Sequence, residues 1–303
     1  MLPIRIVILA LVLLAGSAMA QKGPVTIGSK IDVEGSILGQ IIRLVLEQDG
    51  FEVNDRTSFG TTSVVREALL AGEIDLYPEY TGSALTFFED AVPEGVSRDA
   101  EASYELVREL DADNGVTWLG RSPANNTWAI AVPEALADEE GLATFADLAR
   151  YLNEGGEFRL VASQEFVDRE DALPAFEETY GFMVEPDQLV ILAGGDTTQT
   201  LTAAAQGTDG ANAGMAYGTD GAVAALGLVA LTDPEGAVAI YQPAPIVRTE
   251  VFEQYPELAE LLDPVFAGLD EATLSRLNAQ VQVEGENPTD VARDYLEAEG
   301  FLN

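Results

Sequence analysis

The feature that most limits what this chain can fold into is a β-α-β-α-β pattern that runs once from residue 24 and starts again near residue 158. In the first pass "PVTIGSK" (24–30) reads as a strand, and 36–49 places Ile37, Leu38, Ile41, Ile42, Val45 and Leu46 on one face of a helix closed by Gly50. "FEVNDRT" is the next strand, 61–71 the next helix, and "IDLY" (74–77) a third strand. The second pass gives "FRLVAS", a helix over 172–180, "QLVILA", a helix over 198–206, "AGMAY", a helix over 218–226 and "LVAL". Alternation of this kind builds a parallel sheet with helices on both faces. Two such sets predict an α/β protein of two lobes. The extended, proline-marked stretches "NNTWAIAVP" (125–133) and "AIYQPAPIVR" (239–248) read as two crossings between the lobes, with the helices from Val251 onward packing back on the first. The lobes are thus expected at 21–126 plus 242–303 and at 127–241.

Residues 1–20 carry one positive charge, at Arg5, then an apolar run and the small residues Ala18-Met19-Ala20 ahead of Gln21. This is the order of a secretory signal peptide, cleaved after Ala20, and the run is short for a membrane span. The mature protein is expected in a periplasm, free of the membrane. Cysteine is absent, which excludes disulfides, thiolate metal sites and a lipid-bearing cysteine anchor. Histidine is absent too, which removes a Ser-His-Asp triad, histidine-based zinc sites and an imidazole base. No cofactor is expected. The formal net charge of -37 repels nucleic acid and anionic lipid, so neither is a partner. Lysine appears only at Lys22 and Lys30.

Ligands of open parallel sheets sit beyond the carboxyl ends of the strands, which for two lobes means the cleft. Lys30 ends the first strand, Tyr77 and Tyr80 follow the end of "IDLY", Tyr217 ends "AGMAY", and Trp128 and Tyr241 lie on the crossings. Tyr77 is expected to pack away from Tyr80, because strand alternation sends the two to opposite faces.

At these residues the chain resembles a family. "GSK" at 28–30, "GTTSVVREAL" from Gly60, "DLYPEYTG" at 75–82, "PANNTW" at 123–128, "EFVDREDALPAF" at 165–176, "AYGTDG" at 216–221 and "YQPAPIVR" at 241–248 are similar to the substrate-binding proteins of osmoprotectant ABC transporters of the ProX/OpuAC type. "GGDTTQT" and "AYGTDGAVAALG" most resemble the YehZ/OsmF branch. The resemblance implies a type II periplasmic binding-protein fold closing over a quaternary ammonium osmolyte such as glycine betaine or choline. It implies a partner permease with a cytoplasmic ATPase, and we expect a monomer. It places Tyr80, Trp128, Tyr217 and Tyr241 in an aromatic box, with Lys30, Arg169 and Ser83 meeting a ligand carboxylate. Trimethylammonium has no N–H, so ring faces are suited to hold it, at about 0.5 to 2 kcal/mol per ring. Three positions depart from the family: Ser83 for threonine, Trp128 for tyrosine, and Gly35, in "IDVEG", for a glutamine.

Other readings stay open beside this one. Lys30 has an alternative partner in Glu34, and Arg169 in Asp168 or Glu170. Trp128 suits packing as well as ligand contact, and Asn125 and Asn126 suit a turn. "DADNG" at 111–115 lacks the spacing of a calcium loop. A binding protein for another small polar amine or amino acid competes most closely. Against a polyamine stands the expectation that the cleft positions are aromatic and basic rather than acidic. A carboxylate-based periplasmic hydrolase has enough acidic residues but no motif.

Overall fold

The computed structural model describes residues 22–192 and 197–302. The expected signal peptide with its cleavage site, and part of "GGDTTQT", lie outside the described residues. Two five-stranded sheets form the frame. The first holds β1 (Lys22–Lys30), β2 (Phe51–Gly60), β3 (Leu76–Tyr80), β4 (Val116–Trp118) and β10 (Pro243–Arg248), in the order β2-β1-β3-β10-β4. The second holds β5 (Trp128–Pro133), β6 (Leu160–Ser163), β7 (Leu189–Leu192), β8 (Ala213–Tyr217) and β9 (Leu228–Ala230), in the order β7-β6-β8-β5-β9. The two orders are equivalent, position for position.

Both sheets are mixed rather than purely parallel. β10 runs antiparallel to β3 and β4, and β5 antiparallel to β8 and β9. These strands are the continuations of the two crossings, so each lobe's sheet is completed by chain arriving from the other lobe. The crossings proper are short: Asn126 N–H donates to Tyr241 O at 3.0 Å, and Asn125 Oδ1 accepts from Tyr241 N at 2.8 Å.

One helix boundary and one strand boundary differ from expectation in ways that matter for the cleft. The first helix is Val33–Gln48, three residues earlier than expected, because Asp32 caps it by accepting from Gly35 N at 2.7 Å. The third strand runs on to Tyr80 instead of stopping at Tyr77. Pro78 stands opposite Pro245 in the β3–β10 ladder, a pair that neither ring could hydrogen-bond, so proline does not break the strand there. Tyr77 and Tyr80 then fall on opposite faces, Tyr77 in the cluster with Val65, Leu69 and Ile246, and Tyr80 in the cluster with Ile37 and Leu38.

The apolar stripe of Val33–Gln48 is fully buried at Ile37, Leu38, Ile41, Ile42 and Leu46, each worth about 1.5 to 3 kcal/mol on removal from water. The helices Glu257–Ala267, Glu271–Gln282 and Pro288–Ala298 close the same core through Leu262, Phe266, Leu274, Leu277, Val291 and Leu296. The helix Glu271–Gln282 also touches the other sheet's helix Gly221–Ala225. A Cβ on Gly221 would lie 2.1 Å from Ala279 N and 2.3 Å from Ser275 O, so only glycine permits this approach. No helix among the described residues is long and apolar enough to cross a membrane.

Candidate ligand-binding cleft

A cleft of about 650 Å³ opens between the two sheets, and all seven residues singled out by sequence line it. Strand register assembles the rings. Tyr80 ends β3 opposite Pro243, so the crossing that feeds β10 delivers Tyr241 to the same rim. In the other sheet Trp128, the first residue of β5, stands opposite Tyr217, the last of β8. Their ring centroids are 4.8 Å apart at 34°, and Phe166 packs on Trp128 at 5.4 Å. Trp128 therefore both packs and lines the cleft. Tyr241 lies against the first turn of the helix Thr81–Leu85, where a Cβ on Gly82 would come within 2.8 Å of its ring. Burial raises the hydroxyl pKa of Tyr80, Tyr217 and Tyr241, so all three rings stay neutral.

The basic residues are placed as expected but partnered differently. Lys30 Nζ lies 2.5 Å from Glu79 Oε1, not on Glu34, and both side chains are almost fully buried. It also donates to Ser83 Oγ at 3.3 Å and sits 4.6 Å from the Tyr80 ring centroid. Glu79 is fixed in turn by Tyr77, whose hydroxyl donates to Oε2 at 2.7 Å. Arg169 pairs with Asp171, through Nε at 2.8 Å and Nη2 at 2.6 Å, and with Glu165 at 2.8 Å, rather than with Asp168 or Glu170. Asp171, then Glu165, hold its guanidinium still more firmly protonated, and its Cζ lies 5.6 Å from the Trp128 ring.

Sequence reasoning missed the carboxylate at the centre of the site. Starting the first helix at Val33 carries Glu34 into the cleft, where it is 4% exposed. Tyr80 OH donates to its Oε1 at 2.8 Å, Asn126 Nδ2 to the same oxygen at 3.1 Å, and Asn278 Nδ2 to Oε2 at 2.7 Å. Burial pushes its carboxyl up to about 7 against the pull of the hydrogen bonds from Thr219, Asn278 and Tyr80, and nearby Asp32 adds to the rise. Asn126 is thus more than a turn residue. Asn278 also donates to Thr219 O at 2.9 Å and Gln282 to Asp220 Oδ1 at 3.1 Å, so one helix of the first core grips the second across the cleft. Asp32 is a residue type that caps helices, a signal for the Val33 start that the apolar spacing, which places the helix at 36–49, does not carry. Asn278 carried no signal, because its partner is 244 residues away in sequence. The expectation that the cleft is aromatic and basic is corrected: Asp32, Glu34, Glu165 and Asp220 line it.

Two lobes of equivalent strand order, two hydrogen-bonded crossings and a ring-lined cleft between them define a type II substrate-binding protein. The chain belongs to the OpuAC family, the substrate-binding domain of ABC-type glycine betaine transport systems, whose model matches residues 23–298. It is 52% identical over 295 residues to the glycine betaine-binding protein YehZ of Escherichia coli (strain K12), covering 96% of each chain. The structure of apo YehZ from Escherichia coli superposes with a TM-score of 0.80 at 53% identity, over 92% of this chain and 99% of that one. A glycine betaine/carnitine/choline ABC transporter structure, 21% identical, shares the fold at a TM-score of 0.79, over 92% of this chain and 100% of the other.

Proposed function

We propose that this protein is the periplasmic binding component of an ABC importer, capturing a quaternary ammonium osmolyte, glycine betaine or choline-like, without catalysing a reaction on it. The convergence of Tyr80, Trp128, Tyr217 and Tyr241 on one cleft carries the reading. Ring faces attract a large, weakly hydrated cation, whereas small ions lose too much hydration to enter. On this reading Lys30, Ser83 and Arg169 meet the other end of the ligand. Lobes at 21–126 plus 242–303 and at 127–241 close on it as a monomer and present it to a permease driven by a cytoplasmic ATPase. The relatives' names support the class of ligand.

The acidic lining favours one second reading, a polar amine whose N–H groups donate to Asp32, Glu34, Glu165 or Asp220. Calorimetric titration with glycine betaine, choline, carnitine, ectoine, putrescine and common amino acids separates the two. Binding of trimethylammonium compounds, weakened by about 0.5 to 2 kcal/mol in Tyr80→Ala or Tyr217→Ala, supports the box. Binding of putrescine in preference to every trimethylammonium compound overturns it. The ligand is expected to return unchanged after denaturing the complex.

A further inference from the structure

Resting on the quaternary-ammonium reading above, we propose that the cleft selects a ligand of net positive charge, a choline-like cation with a hydroxyl, over a zwitterionic betaine, and that Glu34 is the residue that sets this preference.

Four carboxylates line the cleft, Asp32, Glu34, Glu165 and Asp220, against the two cations Lys30 and Arg169. Neither cation is uncommitted. Lys30 is 2.5 Å from Glu79, and Arg169 is held by Glu165 and Asp171. A betaine carboxylate would have to share these partners while facing an excess of like charge, of which Glu34 and Asp220 are buried and so repel more strongly than the exposed Asp32 and Glu165. A cation with a neutral tail meets only the attraction.

Hydrogen bonding in the cleft favours a donor as well. Asn278, 3% exposed, spends its amide hydrogens on Glu34 Oε2 and Thr219 O, and its Oδ1 has no protein partner. Asn126 and Gln282 likewise turn their amide nitrogens to Glu34 and Asp220 and leave their oxygens unpaired. These are acceptors. A hydroxyl donor satisfies one, and a carboxylate satisfies none. Among the fully buried side-chain polar atoms of the described cleft residues, the atoms without a protein partner are these three oxygens and one donor, Trp128 Nε1, which lies beside Tyr241.

Glu34 also acts on the box itself. Tyr80 donates its hydroxyl to Glu34, which pushes electron density into a cleft-lining ring whose cationic neighbour, Lys30 at 4.6 Å, is already neutralised by Glu79. An electron-richer ring holds a cation better.

The test compares choline, glycine betaine and 3,3-dimethylbutan-1-ol, the uncharged isostere of choline, by calorimetry at mildly alkaline pH. The wild type is expected to bind choline at least about tenfold more tightly than glycine betaine, and the isostere not measurably. Glu34→Gln should narrow the choline-to-betaine ratio at least about fivefold, while Glu34→Asp, which keeps the charge, largely retains it. Should Glu34→Gln fail to fold, Asp32→Asn, exposed at the rim, should shift the ratio in the same direction by a smaller factor. Glycine betaine bound as tightly as choline, or an unchanged ratio in the folded variants, overturns the inference and leaves the quaternary-ammonium reading standing. Binding of neither compound overturns both.

Discussion

Lys30 and Glu79 show how a residue's partner changes what its mutation tests. Removing Lys30 alone strands a fully buried carboxylate, at a cost of about 3 to 5 kcal/mol. Lys30→Met should therefore melt far below the wild type, and Lys30→Met with Glu79→Gln should recover most of the loss. Chemical denaturation of the three proteins checks this, and additive losses in the double variant would refute it. Glu34 makes a pH-dependent contribution of its own. Its folded pKa, about 7, lies above the ordinary 4.5, so the native state binds the extra proton. The stability it contributes is full below about 4.5, falls as pH rises through 7, and is constant beyond, a loss on the order of 3 kcal/mol. Subtracting the stability of Glu34→Gln from that of the wild type across pH 4 to 8 isolates it from the other carboxylates. A flat difference curve would show that burial leaves the Glu34 carboxyl unshifted between the folded and unfolded states.

At the scale of elements, the contact between the helices Gly221–Ala225 and Glu271–Gln282 decides how closely the lobes approach. Its geometry is set by backbone, since a side chain on Gly221 would collide with Ala279 N and Ser275 O. Gly221→Ala forces the helices apart and stretches the bonds from Asn278 to Thr219 and from Gln282 to Asp220. The expected outcome is a loss of ligand affinity of about tenfold or more with little change in either lobe's own core. Small-angle scattering of the ligand-saturated variant should report a more open particle. Affinity equal to the wild type would mean that closure does not use this contact.

Across the whole molecule the most extreme property is charge, -37 in formal count. Self-repulsion of this size opposes the folded state and is screened within a Debye length of about 8 to 10 Å near physiological ionic strength. Melting temperature should rise with added sodium chloride, and a flat or falling curve in calorimetry would refute the argument. Most of the opposing ion pairs among the described residues are at least partly exposed, where each is worth little.

The sequence was enough to place the two α/β sets, the crossings and the rings at the strand ends. Each of these rests on local information: apolar spacing, glycine stops, and an order of short motifs. It likewise determined that Tyr77 and Tyr80 part company, since alternation along a strand needs only a count of residues. Which side chains pair in the cleft depends on how strands and helices distant in sequence pack together. Lys30 meets Glu79 because β1 and β3 are neighbours, and Glu34 meets Asn278 because a C-terminal helix folds back 244 residues later. The acidic character of the site was hidden for the same reason. In a chain with 52 acidic residues no single carboxylate stands out by type, and only burial beside a tyrosine and two asparagines distinguishes Glu34 from the rest.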